Sequence, residues 1–552
     1  DCCHHRWFDA GKLSMQTFSV CPAVPDKICY CAQIDLDHDR VLATHQDTEG
    51  KQLMLFARTV FVAICFVGVT SVGLAANEQP NVLFIAVDDL NDWVGCLGGH
   101  PQAVTPNIDK LAERGMLFTN AHCAAPACTP SRASLFTGQM PQNTGVWSND
   151  GPKLPRVRPD AFLLPQSFSK SGYRTLGTGK LGPTKSCFQK FFAVDQRWSP
   201  LTAVKVEYTS EELPSKATID PRHTVTLRGK RYVLPLNRMT SDRTPDDPKG
   251  ESFDWGPFDV PDSDFGDTQI TNWAIDRLQT ESDQPLFLAV GYYRPHQPLW
   301  APKRFFERFE NSPAELPSVH ADDLDDLSPV AKQWALKPVT SGRHSTVLKF
   351  RQWQAAVEAY LACVTYVDHE IGRLLNALDQ SSLADNTLIV LWSDHGWHLG
   401  EKQHWGKWTG WERSSRVPLI IVPPRPQAKQ MVPPGTRCDQ PVNLIDIYPT
   451  LIDLCGVQNP PHELDGRSLV PFLKNPSRNL GRTSVTMFGP DNGSLRTNRW
   501  RYIHYSDGSE ELYDLRENAN EWVNLAGQAS QRATLDSLRE LLAPYLTPKV
   551  ER

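Results

Sequence analysis

The side chains best suited to chemistry are concentrated in the stretch Cys128-Thr129-Pro130-Ser131-Arg132-Ala133-Ser134-Leu135-Phe136-Thr137-Gly138. Pro130 suits the first turn of a helix, which places Cys128 at the helix N-terminus. The unpaired N–H groups and the helix dipole favour an anion there. Arg132, one turn on, can offer a planar, two-pronged cation to an oxyanion. The bland alternative is a buried cysteine beside an ordinary capped helix. A second candidate is Asp88-Asp89, which ends the apolar run Asn81-Val82-Leu83-Phe84-Ile85-Ala86-Val87. Such a run reads as a buried, central parallel strand. Open α/β sheets place their ligands at the C-terminal edges of such strands. A metal would use two carboxylates at that edge, and so would a helix cap or a solvated turn.

The elements that must position these groups alternate along the chain. After the strand at 81–87, Thr105 caps a helix that has Pro106 in its first turn and stops at Gly115. A short strand at 116–119 precedes the helix near Pro130. Further strands are expected at 286–291, 387–393 and 417–422, with helices near 268–279, 352–378, 446–454 and 532–542. Alternating strand and helix predicts a layered α/β fold with a central, mostly parallel sheet. Residues 184–265 are polar and rich in Pro and Gly, and they read as a long insertion. After about residue 479, strands at 484–488, 499–505 and 510–514 predict a small antiparallel subdomain closed by the last helix.

Composition excludes several classes. Lys+Arg 57 against Asp+Glu 63 gives a net charge of −6, unlike a chain that coats nucleic acid. Hydrophobic residues at 40% suffice for a large core and exclude a wholly disordered chain. No repeat of solenoid or propeller length is present. Near the N-terminus, Met54 opens a segment with Arg58, an apolar run over 60–69 and the small residues Gly73-Leu74-Ala75-Ala76. That is the pattern of a cleaved secretory signal peptide over 54–76, and its apolar part is short for a membrane span. Residues 1–53 are then a dubious or non-native leader, 77–478 the catalytic domain and 479–552 the C-terminal subdomain. Seven of the 13 cysteines follow the signal segment: Cys96, Cys123, Cys128, Cys187, Cys363, Cys438 and Cys455. An odd number leaves at least one thiol unpaired or chemically special.

Cys-x-Pro-Ser-Arg followed by Leu-x-Thr-Gly resembles the signature of the type I sulfatases. The acids Asp88-Asp89, the later Ser393-Asp394-His395-Gly396 and the C-terminal Glu511-Leu512-Tyr513-Asp514-Leu515 occur in that family's order. The subgroup it most resembles is the iduronate-2-sulfatases. Gly291-Tyr292-Tyr293-Arg294-Pro295-His296-Gln297-Pro298 is similar to their Gly-Tyr-x-(Lys/Arg)-Pro-His-x-Pro pattern, and Asp394-His395-Gly396-Trp397 with Leu399-Gly400-Glu401 and Lys407 matches too.

The resemblance implies an alkaline-phosphatase-like fold and hydrolysis of sulfate esters on sulfated sugars. It implies that a formylglycine-generating enzyme converts Cys128 to formylglycine. One hydroxyl of the hydrated aldehyde attacks sulfur and expels the alcohol, and deprotonation of the other collapses the adduct to the aldehyde and releases sulfate. It implies a divalent cation held by Asp88, Asp89, residue 128, Asp394 and His395. The family supports Ca²⁺, and the chemistry of the ligands alone leaves Mg²⁺ or Mn²⁺ open. Arg132, Lys180 and Lys407 would clamp the sulfate, and His296 would serve the leaving oxygen. The expected location is the periplasm, the cell exterior or a lysosome-like compartment. Two departures stand out. The family's His shortly after Gly179-Lys180 is absent, with Lys185, His100 or His122 as candidate substitutes, and Gln139 stands where an Arg commonly follows Thr-Gly. The alternatives are a phosphonate monoester or phosphodiester hydrolase on the same scaffold, or a non-catalytic glycan-binding homologue. His398 and His404, beside Trp397 and Trp405, would line a sugar pocket or simply pack in a loop.

Overall fold

The computed structural model describes residues 79–182, 193–195, 209–211, 222–239, 242, 253–338 and 342–546. The leader, the signal-like segment, Lys185, Cys187 and much of the 184–265 insertion lie outside these residues. Eight strands form the main sheet: β1 (Asn81–Asp88), β2 (Met116–Phe118), β3 (Arg174–Gly179), β4 (Ala193–Asp195), β5 (Leu286–Pro295), β6 (Thr387–Ser393), β7 (Leu419–Val422) and β8 (Thr436–Cys438). Their order across the sheet is β8-β2-β7-β6-β1-β5-β3-β4. β1 lies at the centre and pairs in parallel with β5 and β6; β5–β3 and β3–β4 are parallel as well. Only β7 runs antiparallel, against both β6 and β2. The mostly parallel sheet expected from the alternation is therefore present.

The unbroken apolar run of β1 follows from burial on both faces. Leu83, Ile85 and Val87 enter one core, with helices α3 (Gly266–Leu278) and α4 (Trp353–Asp379). Val82, Phe84 and Ala86 enter the other, with α2 (Cys128–Thr137) and α5 (Ile447–Cys455). Every residue of α2 is buried, so the helix that carries Cys128 and Arg132 has no solvent face.

Helix α1 (Pro106–Arg114) begins where Thr105 and Pro106 predict, but Thr105 does not cap it. Its hydroxyl accepts from Gly95 N and donates to Asp109 Oδ1. The cap comes from α4 instead: Asp368 accepts from the backbone N–H groups of Asn107 and Ile108, at 3.1 and 2.8 Å to Oδ1.

The C-terminal sheet has four antiparallel strands, β9 (Ser484–Gly489), β10 (Asn492–Arg496), β11 (Trp500–His504) and β12 (Glu510–Asp514), with α6 (Arg532–Leu546) against it. The sequence reading has three of the four. It lacks β10, whose Asn492-Gly493 start disfavours a strand by propensity. This sheet braces the chain just ahead of α2: Met487 N donates to Ala124 O and Thr486 Oγ1 to Cys123 O. Among the described residues no helix is long and apolar enough to cross a membrane.

Candidate active site

β1, β3, β5 and β6 all deliver their C-terminal ends to one edge of the sheet, and α2 points its N-terminus at the same place. Asp88 and Asp89 end β1, Lys180 follows β3, His296 follows β5, and Asp394-His395 follow β6. Two glycines allow the β3 and β5 ends to touch. A Cβ on Gly291 would lie 2.2 Å from Lys180 O, and Gly179, at φ +76°, would set one 2.0 Å from Gly291 O. The backbone of Lys180 is thereby docked on β5, with its N–H donating to Gly291 O at 2.8 Å.

Cys128 is the first residue of α2, after an extended Ala127. Its Sγ lies 3.0 Å from Lys407 Nζ, 3.4 Å from His395 Nε2 and 3.7 Å from Lys180 Nζ. Lys407 also donates to Asp89 Oδ1 at 2.6 Å, and Lys180 to Asp88 Oδ2. His296 Nε2 is 3.8 Å from Asp88 Oδ2 and 3.9 Å from Asp89 Oδ2. All nine residues expected at the site thus converge. Burial works to raise the Asp88 carboxyl, but Lys180, His296 and Arg132 overcome it and hold the group well below the ordinary carboxylate range. Asp89 is the opposite case: burial lifts it to about 7 against the pull of Lys407. Burial likewise raises the Cys128 thiol and lowers both His296 and His395.

Arg132 occupies a different place from the sulfate clamp expected for it. Its guanidinium is buried, and Nε donates to Asp394 Oδ2 at 2.8 Å while NH2 donates to Asp88 Oδ1 at 3.0 Å. NH1 donates to the carbonyls of Lys180 and Leu181, at 2.6 and 2.8 Å. Four of its five N–H groups are therefore committed to protein acceptors.

Several residues that hold the site escaped the sequence reading. Tyr360, inside α4, donates to Asp89 O at 2.7 Å and accepts from Asn91 N at 3.0 Å. It braces a turn in which Asp89 adopts φ +61°, a backbone state that costs a non-glycine residue of order 1 kcal/mol or more. Ser393 Oγ accepts from Leu90 N and donates to His395 O, and Ser131 Oγ donates to Asp394 O at 2.5 Å. Both serines lie inside the motifs and were visible there, whereas nothing in the pattern of α4 marks Tyr360.

The remaining expectations resolve toward packing. His404 is buried and bonded to the carbonyls of Ala335 and Lys407, and His398 Nδ1 to Ser414 Oγ. Trp397 and Trp405 are buried as well, so this loop is core rather than an open sugar pocket. His100 bonds Glu315 O, and His122 bonds Asn120 and Ser415. Neither bonds the thiol in place of the missing histidine. Gln139 donates to Glu463 O.

The donor set fits a divalent cation. His395 Nδ1 faces Gly396 O at 3.0 Å; a carbonyl only accepts, so Nδ1 carries the proton and Nε2 presents a lone pair. That lone pair faces Asp89 Oδ1 at 3.3 Å and Asp394 Oδ2 at 3.5 Å. Lys407 and Arg132 supply part of the positive charge these acceptors call for, at 2.6 Å from Asp89 Oδ1 and 2.8 Å from Asp394 Oδ2, and a cation between the three would supply the rest. Asp89 Oδ2 is buried with no hydrogen-bond partner, a further free ligand atom. Ligand atoms from Asp88, Asp89, Cys128 and His296, and from Asp88, Cys128, Asp394 and His395, lie within 4.8 Å of one another in each group. Carboxylates that dominate such a set suit a hard cation.

Comparison with known proteins accounts for the arrangement. The sulfatase family model matches residues 80–457, and a model of the N-sulphoglucosamine sulphohydrolase C-terminal region matches residues 400–546. A sulfatase of Formosa agariphila is 34% identical over 474 residues, which cover 84% of this chain and 86% of that protein. Human iduronate 2-sulfatase is 32% identical, over 74% of this chain and 75% of its own. The solved structure of a 2-O GAG sulfatase superposes with a TM-score of 0.61 at 22% identity, covering 85% of this chain and 92% of that one, which supports the alkaline-phosphatase-like fold. With its signature helix, its acidic strand ends and these matches in agreement, the chain belongs to the sulfatase family and is a sulfuric ester hydrolase.

Proposed function

We propose that the protein hydrolyses sulfate esters of sulfated sugars, with a uronate 2-O-sulfate as the first substrate to try, after export and conversion of Cys128 to formylglycine. The observation that carries this reading is the surroundings of Cys128 Sγ, with Lys407, Lys180 and His395 all within 3.7 Å. An ordinary structural cysteine has no use for two buried ammonium groups.

In this reading the hydrated formylglycine supplies a hydroxyl nucleophile and a second hydroxyl whose deprotonation lets sulfate leave. A divalent cation, with Ca²⁺ preferred, would be held by Asp88, Asp89, Asp394 and His395 together with residue 128, and would lower the energy of developing negative charge. The chain's own groups do the rest. Lys180 and Lys407 flank residue 128 and balance the charge of an arriving sulfate. Burial works to lower both ammonium groups, but Asp88 beside Lys180 and Asp89 beside Lys407 overcome it and keep both protonated through the physiological range. His296 Nε2 presents its lone pair at the same edge, where it would take the proton that the attacking hydroxyl sheds and hand it to the leaving oxygen as the alcohol departs. Arg132 fixes the spacing of Asp88 and Asp394 rather than touching substrate. The similarity to an iduronate 2-sulfatase supports the sugar assignment.

The test is mass spectrometry of the Cys128 peptide from the native host, paired with turnover of an aryl sulfate and an aryl phosphonate ester. Conversion makes the peptide about 18 Da lighter and creates the required nucleophile. A converted protein that hydrolyses the sulfate supports the proposal. An unconverted cysteine overturns it, and preference for the phosphonate moves the activity to the other ester.

A further inference from the structure

We infer that Tyr293 is a positioning residue of this site, holding Lys180 and His296 in register through its ring and its hydroxyl. The inference rests on the sulfatase reading above. Tyr293 lies near the end of β5, half-buried in a strand that is otherwise buried throughout. The Lys180 ammonium sits 5.0 Å from its ring centroid, within cation–π range. The His296 imidazole packs against the same phenol, with centroids 4.9 Å apart and planes at 58°. The phenol hydroxyl donates to Gln297 O at 3.2 Å, and His296 Nδ1 bonds that same oxygen. A carbonyl has two lone pairs, so these two donors fill it.

The consequence is geometric. Nδ1 of His296 donates to a carbonyl and therefore carries its proton, which leaves Nε2 as the atom that faces Asp88 and Asp89. The ring sets the plane of the imidazole, and the shared carbonyl sets its rotation. Lys180 gains a wall from the same ring. An ammonium on a four-carbon stem is a mobile point charge unless something flanks it. The chain has no histidine in Leu181-Gly182-Pro183-Thr184, so no imidazole directly follows Lys180 to flank it. Removing the phenol would loosen both groups at once, leaving Lys180 its contacts with Asp88 and residue 128, while every expected catalytic side chain is still present.

The experiment is a double-mutant cycle on aryl sulfate turnover with Tyr293→Leu, Tyr293→Phe and His296→Ala, each checked by thermal melting. Tyr293→Leu is expected to lower kcat about 100-fold with KM changed far less, the size that a misplaced catalytic group produces. Tyr293→Phe keeps the ring and loses about tenfold or less, the worth of one hydrogen bond. In the His296→Ala background the Leu substitution should cost clearly less than in the wild type, because the part of its effect that runs through His296 is already gone and only the part through Lys180 remains. Full additivity, or an unchanged kcat in Tyr293→Leu, overturns the inference while the sulfatase reading stands. If Tyr293→Leu does not fold, non-additivity of Tyr293→Phe with His296→Ala decides in the same way. If the wild type hydrolyses no ester, the sulfatase reading has failed, and titration with inorganic sulfate decides the inference. Weaker sulfate binding by Tyr293→Leu supports it, and equal binding overturns it.

Discussion

Replacing Arg132 by Met separates two roles that one arginine could have here. The guanidinium is 0% exposed and bridges Asp88 and Asp394, at 3.0 and 2.8 Å. Methionine fills much of the same volume and leaves both carboxylates, also 0% exposed, without their shared cation. Removing one member of a buried ion pair costs about 3–5 kcal/mol. At about 2.1 cal/mol/K per residue, the roughly 470 residues from Gln79 to Leu546 unfold with an entropy near 1 kcal/mol/K, so Tm should fall by about 3–5 °C. Because Asp88 and Asp394 lose their spacing, kcat should fall about 100- to 1,000-fold with KM changed little, a loss confined to the transition state. Added Ca²⁺ should raise Tm more in the Met variant than in the wild type, because the carboxylates left behind carry one more uncompensated charge. The assays are calorimetric melting with and without Ca²⁺ and steady-state hydrolysis of an aryl sulfate. A wild-type Tm with an unchanged kcat and a raised KM would refute the reasoning and return Arg132 to the role of sulfate clamp.

Three further substitutions probe the supports of the site. Gly291→Ala would set a Cβ 2.2 Å from the Lys180 carbonyl, backbone that cannot swing aside, so β3 and β5 must part; kcat should drop at least about tenfold along with Tm, and a variant that melts with the wild type would contradict the close approach. Tyr360→Phe removes the donor to Asp89 O and the acceptor for Asn91 N, at about 1–3 kcal/mol; kcat should fall with KM steady, and full activity would show that the Asp89 turn holds without it. Asp368, the cap of α1, has its carboxyl lifted by burial from 3.8 to about 6. The folded state therefore binds this proton more tightly than the unfolded state, and the group's contribution is whole below pH 4 and lost as pH rises through 6. Asp368→Asn should remove that slope, so the wild type loses up to about 3 kcal/mol relative to the variant between pH 4 and 7. Denaturant titrations across that range in which the wild type gains on the variant would sink this assignment.

What the sequence revealed and what it hid differ for a physical reason. β1 was legible because burial on both faces leaves a run of apolar residues with no polar alternation, and its edge acids stand out against that run. Cys128 was legible because a proline two residues later marks the first turn of a helix, and the structure begins α2 at that cysteine. These signals are local. Asp368 caps α1 from another helix, and Tyr360 braces Asp89 from the middle of a 27-residue helix whose own periodicity requires only that some large residue face the core there. No spacing rule connects such partners, because the fold alone brings them together. Arg132 shows the same limit at the centre of the site. Its residue type and its place one turn after Cys128 suit an oxyanion, and a reading of α2 alone assigns it there. Yet β1 and β6 deliver Asp88, Asp89 and Asp394 to the same dry place, and three buried carboxylates repel unless cations stand among them. The arginine closest to them is drawn into that balance, and among the described residues Lys180 and Lys407 are the ones that keep an ammonium at residue 128. The role of a charged side chain is thus decided by the charge of the whole cluster it folds into, which is a property of strand order and not of the helix that carries it.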